Sequence, residues 1–529
     1  MLSLSARCGS VCIHCRSPVI SAKESTKACS IKDSGDLAAR PTNARSSAWE
    51  LNTCIHFLVL SLQPGAHGRG SQHKSTVEPC VLRILSQRLP CIKQKSIFFA
   101  SALNAQRYAS LTSFVRRFFM SLPLEKIRVL DLSRILAAPW AAQLMGDFGA
   151  EVIKVERPKS GDDSRRFGPP FVKDAHGNDT QESAFYLSAN RNKKSITVDI
   201  TKPEGQALIR DLAAKSDVLI ENYKVNDLKR YGLDYESLKS VNPRLIYCSV
   251  TGFGQSGPYS HRPGYDFVFQ AMGGLMSVTG VAEGLPGAGP MKVGPSLADI
   301  QAGHFTLSAV LAALYHRDVS GGQGQHIDIA LLDSIVASIS HYSSHYLLSR
   351  EVPVRRGNEG NGGMPQRTFS CADQVIVIVI GNDEQFVRFC RVIGTPELAV
   401  DPRFEKNLGR GLNRKALAEI MDPIVAEWKA EDLLAELEKN GVPCGPVNDL
   451  SQVFDDPQVR HREMEVRAPH VLSKTGEVSM VRNPVRFSET PVTEYRAAPL
   501  LGEHNDDVLI NILGRTKADV DRLRAEDVI

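Results

Sequence analysis

The 529-residue sequence has little excess charge of either sign: 63 Lys and Arg against 59 Asp and Glu leave a formal net charge of +4. Composition therefore gives no case for nucleic-acid binding, which draws on a basic surface to displace counterions. Apolar stretches of bilayer-spanning length are lacking too. The run from Cys54 to Leu62 is too short, so no membrane insertion is expected. The histidines are scattered and form neither a Ser/His/Asp order nor a metal spacing. Cys8, Cys12 and Cys15 lie close together, but no matching His/Cys pair follows at a zinc-like distance. What is present, 42% hydrophobic and 23% charged residues, suits a globular protein with one large or two medium cores.

Composition changes near residue 120. Seven of the eleven cysteines (8, 12, 15, 29, 54, 80 and 91) precede it, and the other four (248, 371, 390 and 444) are scattered and read as reduced. From Pro79 to Leu124 there is no acidic residue, against Arg83, Arg88, Lys93, Lys95, Arg107, Arg116 and Arg117. The amphipathic, Arg- and Ser-bearing pieces 103–110 and 111–119 look like a mitochondrial presequence, so a matrix location is expected. Translation starting at Met120 would remove that signal and leave the protein cytoplasmic.

From Pro123 onward, short runs rich in Val, Ile and Leu alternate with helical patterns. Strands are expected at 127–132, 151–156, 195–200, 217–221 and 245–250, with helices at 138–148, 202–215 and 227–240. Continuous apolar strands separated by helices predict a parallel sheet buried on both faces, hence a doubly wound α/β domain. Its ligands belong at the carboxyl ends of the strands. After a Gly- and Arg-rich loop at 355–363 come a β run at 374–380 and helices at 383–393, 414–428 and 430–440. These read as a smaller α+β unit. Gly252-Phe-Gly-Gln-Ser-Gly257 matches a dinucleotide fingerprint, but it follows the fifth strand, and Pro263-Gly264 make an immediate helix unlikely to continue. It reads as a turn-forming loop.

Asp299, in Gly294-Pro-Ser-Leu-Ala-Asp-Ile-Gln-Ala-Gly303, admits two readings. Ser296-Leu-Ala-Asp299 fits a capping box, with Ser296 as N-cap and Asp299 favoured by the helix dipole. The alternative is a partly desolvated nucleophilic carboxylate. Arg157, Asn222, Lys224 and Arg230 lie at or beyond strand ends, where guanidinium and ammonium groups suit phosphates, though each singly also fits a solvated surface charge.

Several segments together resemble the class III CoA-transferases, the family that includes formyl-CoA transferase, carnitine CoA-transferase and alpha-methylacyl-CoA racemase. They are Val129-Leu-Asp-Leu-Ser133, Gly149-Ala-Glu-Val-Ile-Lys-Val-Glu-Arg-Pro158, Asn192-Lys-Lys-Ser195, Gly264-Tyr-Asp266, Leu297-Ala-Asp299, Gly441-Val-Pro-Cys-Gly-Pro-Val447 and Leu500-Leu-Gly-Glu-His504. The resemblance implies that Asp299 is the nucleophile. It places CoA contacts on Leu136, Ala137, Arg157, Val198, Asn222, Tyr223, Lys224, Arg230, Tyr265 and Asp266. It suggests a substrate-side oxyanion loop at Gly360, Gly362 and Gly363, although this run is shorter than in transferases of the formyl type. Acyl-CoA racemases of the fold carry a His where this chain has Tyr265, which favours transfer over racemisation; a non-catalytic CoA-binding paralogue is disfavoured by the presence of Asp299.

Within the family, Gly161-Asp-Asp-Ser164, Gly168-Pro-Pro-Phe-Val172 and Ile246-Tyr-Cys-Ser249 are most similar to the branch acting on dicarboxylic acids. The implied reaction moves CoA from succinyl-CoA to glutarate or 3-hydroxy-3-methylglutarate through an aspartyl-CoA thioester. CoA thioesters are then substrates, and no permanently bound cofactor or metal is expected. The implied fold is an interlocked homodimer, each chain having a Rossmann-like large domain built from both chain ends and a smaller α+β domain. The corresponding segments are a low-order extension at 1–119, the first part of the large CoA-binding domain at 120–330, a linker helix at 331–354, the small domain at 355–460 and the returning C-terminal part at 461–529.

Overall fold

A computed structural model describes residues 121–360 and 362–529. The cysteine cluster, the extension at 1–119 and the presequence-like pieces within it lie outside the described residues. Six strands form the main sheet: β1 (Arg128–Asp131), β2 (Glu151–Glu156), β3 (Lys193–Thr197), β4 (Val218–Glu221), β5 (Ile246–Thr251) and β6 (His326–Ala330). Their order is β3-β2-β1-β4-β5-β6, and every pairing is parallel. This is the doubly wound order, in which the chain reverses direction across the sheet between β1 and β4 and opens a crevice at their carboxyl ends.

The strand sequences explain the burial. In β1, β2 and β4, Val129, Val152 and Val218 enter one apolar cluster, while Leu130, Ile153 and Leu219 enter another on the opposite face. Five of the six strands fall where the Val/Ile/Leu runs predict them. The sixth, β6, is an edge strand that follows the long helix and lies outside the predicted runs. The helix expected over 227–240 is broken. A short turn at Lys229–Tyr231 ends at Gly232 with φ +64°, and a separate helix runs Tyr235–Val241. Glycine adopts that left-handed conformation without steric cost and so terminates the first turn.

A second core lies around the antiparallel strands Gln366–Ser370, Val375–Val379 and Cys444–Pro446. Helices Asp383–Val392, Arg414–Ala426 and Ala430–Lys439 cover it with Phe386, Phe389, Leu417 and Leu433, against Ile376 and Ile378. The C-terminal segment returns to β3: His504 N–H donates to the Ser195 carbonyl and Thr197 N–H to Asn505 Oδ1. Val520, Leu523 and Val528 then enter the cluster on that face.

The helix α1 (Ala137–Asp147) and the 24-residue helix α3 (Leu297–Ser320) pack closely. By length and composition α3 is long and apolar enough to cross a membrane, contrary to the expectation that stretches of that length are lacking. It buries Ala298, Ala302, Thr306, Val310 and Leu314 along one face, and Arg317 near its end pairs with Asp217 at 3.0 Å, the pattern of a core helix. Gly303 makes the close approach possible: a Cβ there would meet the Ala137 carbonyl oxygen at 2.7 Å and Trp140 Cδ1 at 3.0 Å. Gly303→Val should therefore force the helices apart and cost about 1–3 kcal/mol, seen as a lower urea midpoint with unchanged slope. A midpoint equal to that of the parent would refute this account of the packing.

Candidate active site

Asp299 lies in the first turn of α3, but the capping box does not form. Ser296, the N-cap residue, makes no side-chain cap hydrogen bond. The cap comes instead from Asp266, which opens helix α2 (Asp266–Met272). Its Oδ1 accepts from Ala298 N–H at 2.7 Å, and its Oδ2 accepts from Gln270 Nε2 at 2.7 Å. Gln270 then fixes the approach to the helix, accepting from Val293 N–H at 3.0 Å and donating to the Pro295 carbonyl at 3.3 Å. A distant carboxylate thus does the work the local motif assigned to Ser296.

Asp299 is left free of capping duty. Its carboxyl accepts from the backbone N–H of Ala137, the first residue of α1, whose own N-cap Leu136 supplies no side-chain acceptor. The group therefore faces the amide ends of two helices, which favour negative charge. Burial outweighs this, and the nearby Asp266 charge adds to it, so the Asp299 carboxyl is pushed up to about 7 with the Ala137 hydrogen bond opposing. A carboxylate of that basicity is a better nucleophile than an ordinary surface aspartate, yet a large fraction is ionised at neutral pH.

The crevice between β1 and β4 supplies the second part. Arg134 follows β1 and lays its guanidinium over the Tyr223 ring, 5.2 Å from its centre. Arg157, at the end of β2, is half exposed and donates to Asp163 at 2.7 Å. Together with Val198 and Ile200 these groups line a cleft. It offers two guanidinium groups and an aromatic face, which suits a phosphate-bearing nucleotide.

The residues expected at the site separate into groups. Asp299, Ala137 and Asp266 meet, and Leu136 is the buried N-cap beside them. Arg157, Val198 and Tyr223 line the cleft. Asn222 is turned to the backbone: it accepts from Arg134 N–H at 2.9 Å and donates to the Arg134 carbonyl at 2.7 Å. Lys224 and Arg230 are exposed on the following loop, Arg230 lying 3.8 Å from Asp227. Tyr265 is 71% exposed while its neighbour Asp266 points inward. The glycine segment packs on its own unit: Gly360 N–H donates to the Gln366 carbonyl, and a Cβ at Gly363 would meet the Ile380 carbonyl oxygen at 2.4 Å. No role for Arg134, Asp162 or Gln270 is legible in the sequence, because each depends on a partner far along the chain: Asn222 for Arg134, Ile135 for Asp162, and Val293 and Pro295 for Gln270.

A family model described as CoA-transferase family III matches residues 124–505. The chain is 44% identical over 391 residues to the succinate–glutarate CoA-transferase of Agrobacterium fabrum, covering 74% of this chain and 96% of that relative. It is 40% identical over 391 residues to the succinyl-CoA:glutarate CoA-transferase of Homo sapiens, covering 74% and 86%. The crystal structure of a CAIB/BAIF family protein from Brucella suis is similar with a TM-score of 0.67 at 43% identity, covering 74% of this chain and 99% of that one. The matched region takes in the whole sheet, the cleft and the half-buried Asp299 carboxyl, and the chain accordingly belongs to CoA-transferase family III, a family of transferase enzymes.

Proposed function

We infer that the protein passes CoA from succinyl-CoA to glutarate, with 3-hydroxy-3-methylglutarate the other candidate acceptor, through a thioester on Asp299. The observation that carries this reading is the Asp299 carboxyl itself, held by Ala137 N–H and pushed up to about 7 by burial and by Asp266. The names of the relatives from Agrobacterium fabrum and Homo sapiens support the substrate pair. In the first half-reaction an Asp299 oxygen attacks the thioester carbonyl, giving a succinyl-aspartyl anhydride and CoA thiolate. The thiolate attacks the aspartyl carbonyl, releasing succinate and leaving aspartyl-CoA. Glutarate then attacks that thioester, and the sequence runs in reverse. Each carbonyl substitution conserves an activated acyl bond, so this route calls for neither ATP nor a metal. Retaining CoA in the cleft converts the return attack into an intramolecular step.

A racemase reading is disfavoured because the side chain before Asp266 is the exposed Tyr265, not a histidine. A homodimer is part of the proposal. Tyr265, Phe267, Phe305, Tyr315, Leu348 and Val352 are large apolar side chains left exposed near α2, α3 and the segment that follows, and a partner's small domain would cover them and complete the substrate side. A matrix location is proposed from the acid-free, Arg-bearing segment at 79–124.

The test is to incubate the protein with succinyl-CoA, look by mass spectrometry for CoA on the peptide containing Asp299, and then screen acids for turnover. Glutarate should discharge the adduct fastest. Equal discharge by monocarboxylates would defeat the substrate assignment. The rate of adduct formation should also depend on pH. Only ionised Asp299 attacks, so the rate should rise through about pH 7 and level off above about pH 8. Glu221 is likewise pushed up to about 7 by burial, and the same profile in Glu221→Gln assigns the transition to Asp299. A profile flat from pH 5 to 8 would contradict the raised carboxyl.

A further inference from the structure

Between β1 and α1 the chain makes an unusual turn. Ile135 has φ +73°, a left-handed conformation that a β-branched residue rarely adopts because its branched Cβ crowds the backbone. Contacts at three consecutive residues hold the turn. Ser133 N–H donates to Asp131 at 3.0 Å, and the Ser133 carbonyl accepts from Lys154 at 2.9 Å. Arg134 has both backbone groups bonded to Asn222. Ile135 N–H donates to the Asp162 carboxylate at 3.2 and 3.3 Å. Asp162 is itself fixed: it pairs with Lys154 at 2.9 Å with both side chains fully buried, and it accepts from Ser164 N–H and Oγ at 2.9 and 2.8 Å.

Two residues after Ile135, Ala137 presents the N–H that holds Asp299. The direction in which α1 starts is set by the turn before it, so whatever holds the turn also aims that N–H. We propose that Asp162 is a positioning residue for the acyl-transfer centre: by holding Ile135 in the left-handed turn it aims the Ala137 N–H at the Asp299 carboxyl. Asp162 touches no reacting atom and acts through Ile135. This rests on the reading of Asp299 as the acyl-accepting residue.

The test uses the full chain and measures two quantities, the rate of CoA-adduct formation at saturating succinyl-CoA and the KM for succinyl-CoA. Asp162→Asn should slow adduct formation roughly 10–100-fold and leave KM within about threefold, because misalignment at the reacting centre acts on the chemical step. Ile135→Gly in the Asp162→Asn background should restore the rate by about fivefold or more, since glycine takes the left-handed turn without help. A merely structural role for Asp162 would give no such rescue. If Asp162→Asn leaves the adduct rate at the parent value, acts only through KM, or is not rescued by glycine, the proposal is overturned. Should Asp162→Asn fail to fold by circular dichroism, because Lys154 loses its partner, Asn222→Ala with and without Ile135→Gly takes the same readouts with the same expectations. Failure of the underlying reading looks different: the unmodified protein would then form no adduct on Asp299, and this inference would fall with it.

Discussion

Replacing Asp299 by asparagine should reduce turnover by about 10³-fold or more while leaving binding of the CoA thioester within about threefold. Asparagine keeps the shape and an oxygen to accept from Ala137 N–H, but its amide cannot attack a thioester or carry CoA. The same substitution should stabilise the fold above neutral pH. Asp299 has an ordinary value of 3.8 and a folded value near 7, so between those limits the folded state binds more protons than the unfolded state. Stability therefore falls as pH rises through that window. Asparagine carries no such penalty. Discounted for the partial exposure of Asp299, the variant should exceed the parent by about 1–3 kcal/mol at pH 8, with the difference gone below about pH 4. Urea unfolding at the two pH values measures this, and adduct analysis measures the chemistry. A variant that is inactive yet less stable at pH 8 would mean that the aspartate is held for structure, and the nucleophile would have to be sought elsewhere.

That expectation could be framed from sequence because Asp299 sits at the mouth of a long apolar run, where a carboxylate is conspicuous. Its environment could not. The motif Ser296-Leu-Ala-Asp299 matches a local cap, yet the hydrogen bond to Ala298 N–H comes from Asp266, 32 residues earlier. Asn222 and Asp162 reach partners 88 and 27 residues away. Spacing rules follow helix and strand periods and do not register such pairings. The same limit applies to the fold. Strands β1 to β5 are legible because buried parallel strands are written in uninterrupted Val, Ile and Leu. Strand β6 alternates exposed His326 and Asp328 with half-buried Ile327 and Ile329, the pattern of an edge, and carries a weaker signal. The order of the strands, which places Arg134 opposite Asn222, depends on long-range pairing alone.

The largest stability loss is expected from Arg165→Ala, at about 3–5 kcal/mol. The guanidinium is buried and fully engaged. Nε and Nη2 reach Glu156 at 2.8 and 2.7 Å, and Nη1 reaches both oxygens of Glu182 at 2.6 and 2.8 Å. Nη2 also reaches Tyr186 Oη at 2.6 Å and the Pro499 carbonyl at 3.0 Å. One side chain thus joins β2, the strand bearing Glu182 and the returning C-terminal segment. Burial and the Glu156 charge already push the Glu182 carboxyl up to about 7 against the attraction of Arg165. Without Arg165 the Glu182 carboxyl would rise further, and Glu156, which Arg165 now helps hold below its usual range, would rise too, so the folded state would take up protons that the unfolded state does not. Stability of the variant should then fall as pH rises, so its deficit should be larger at pH 8 than at pH 5.5. Lysine should recover only a small part, because a single ammonium cannot span two carboxylates and a carbonyl as the planar fork does. Glu156 Oε2 also accepts from Asp162 N–H at 2.9 Å, so the damage should extend to the turn that aims Ala137. Urea midpoints at the two pH values, together with the adduct rate at saturating succinyl-CoA, measure both effects. A loss below about 1 kcal/mol, or a deficit independent of pH, would show that the cluster tolerates an unpaired carboxylate and that this account of its charges is wrong.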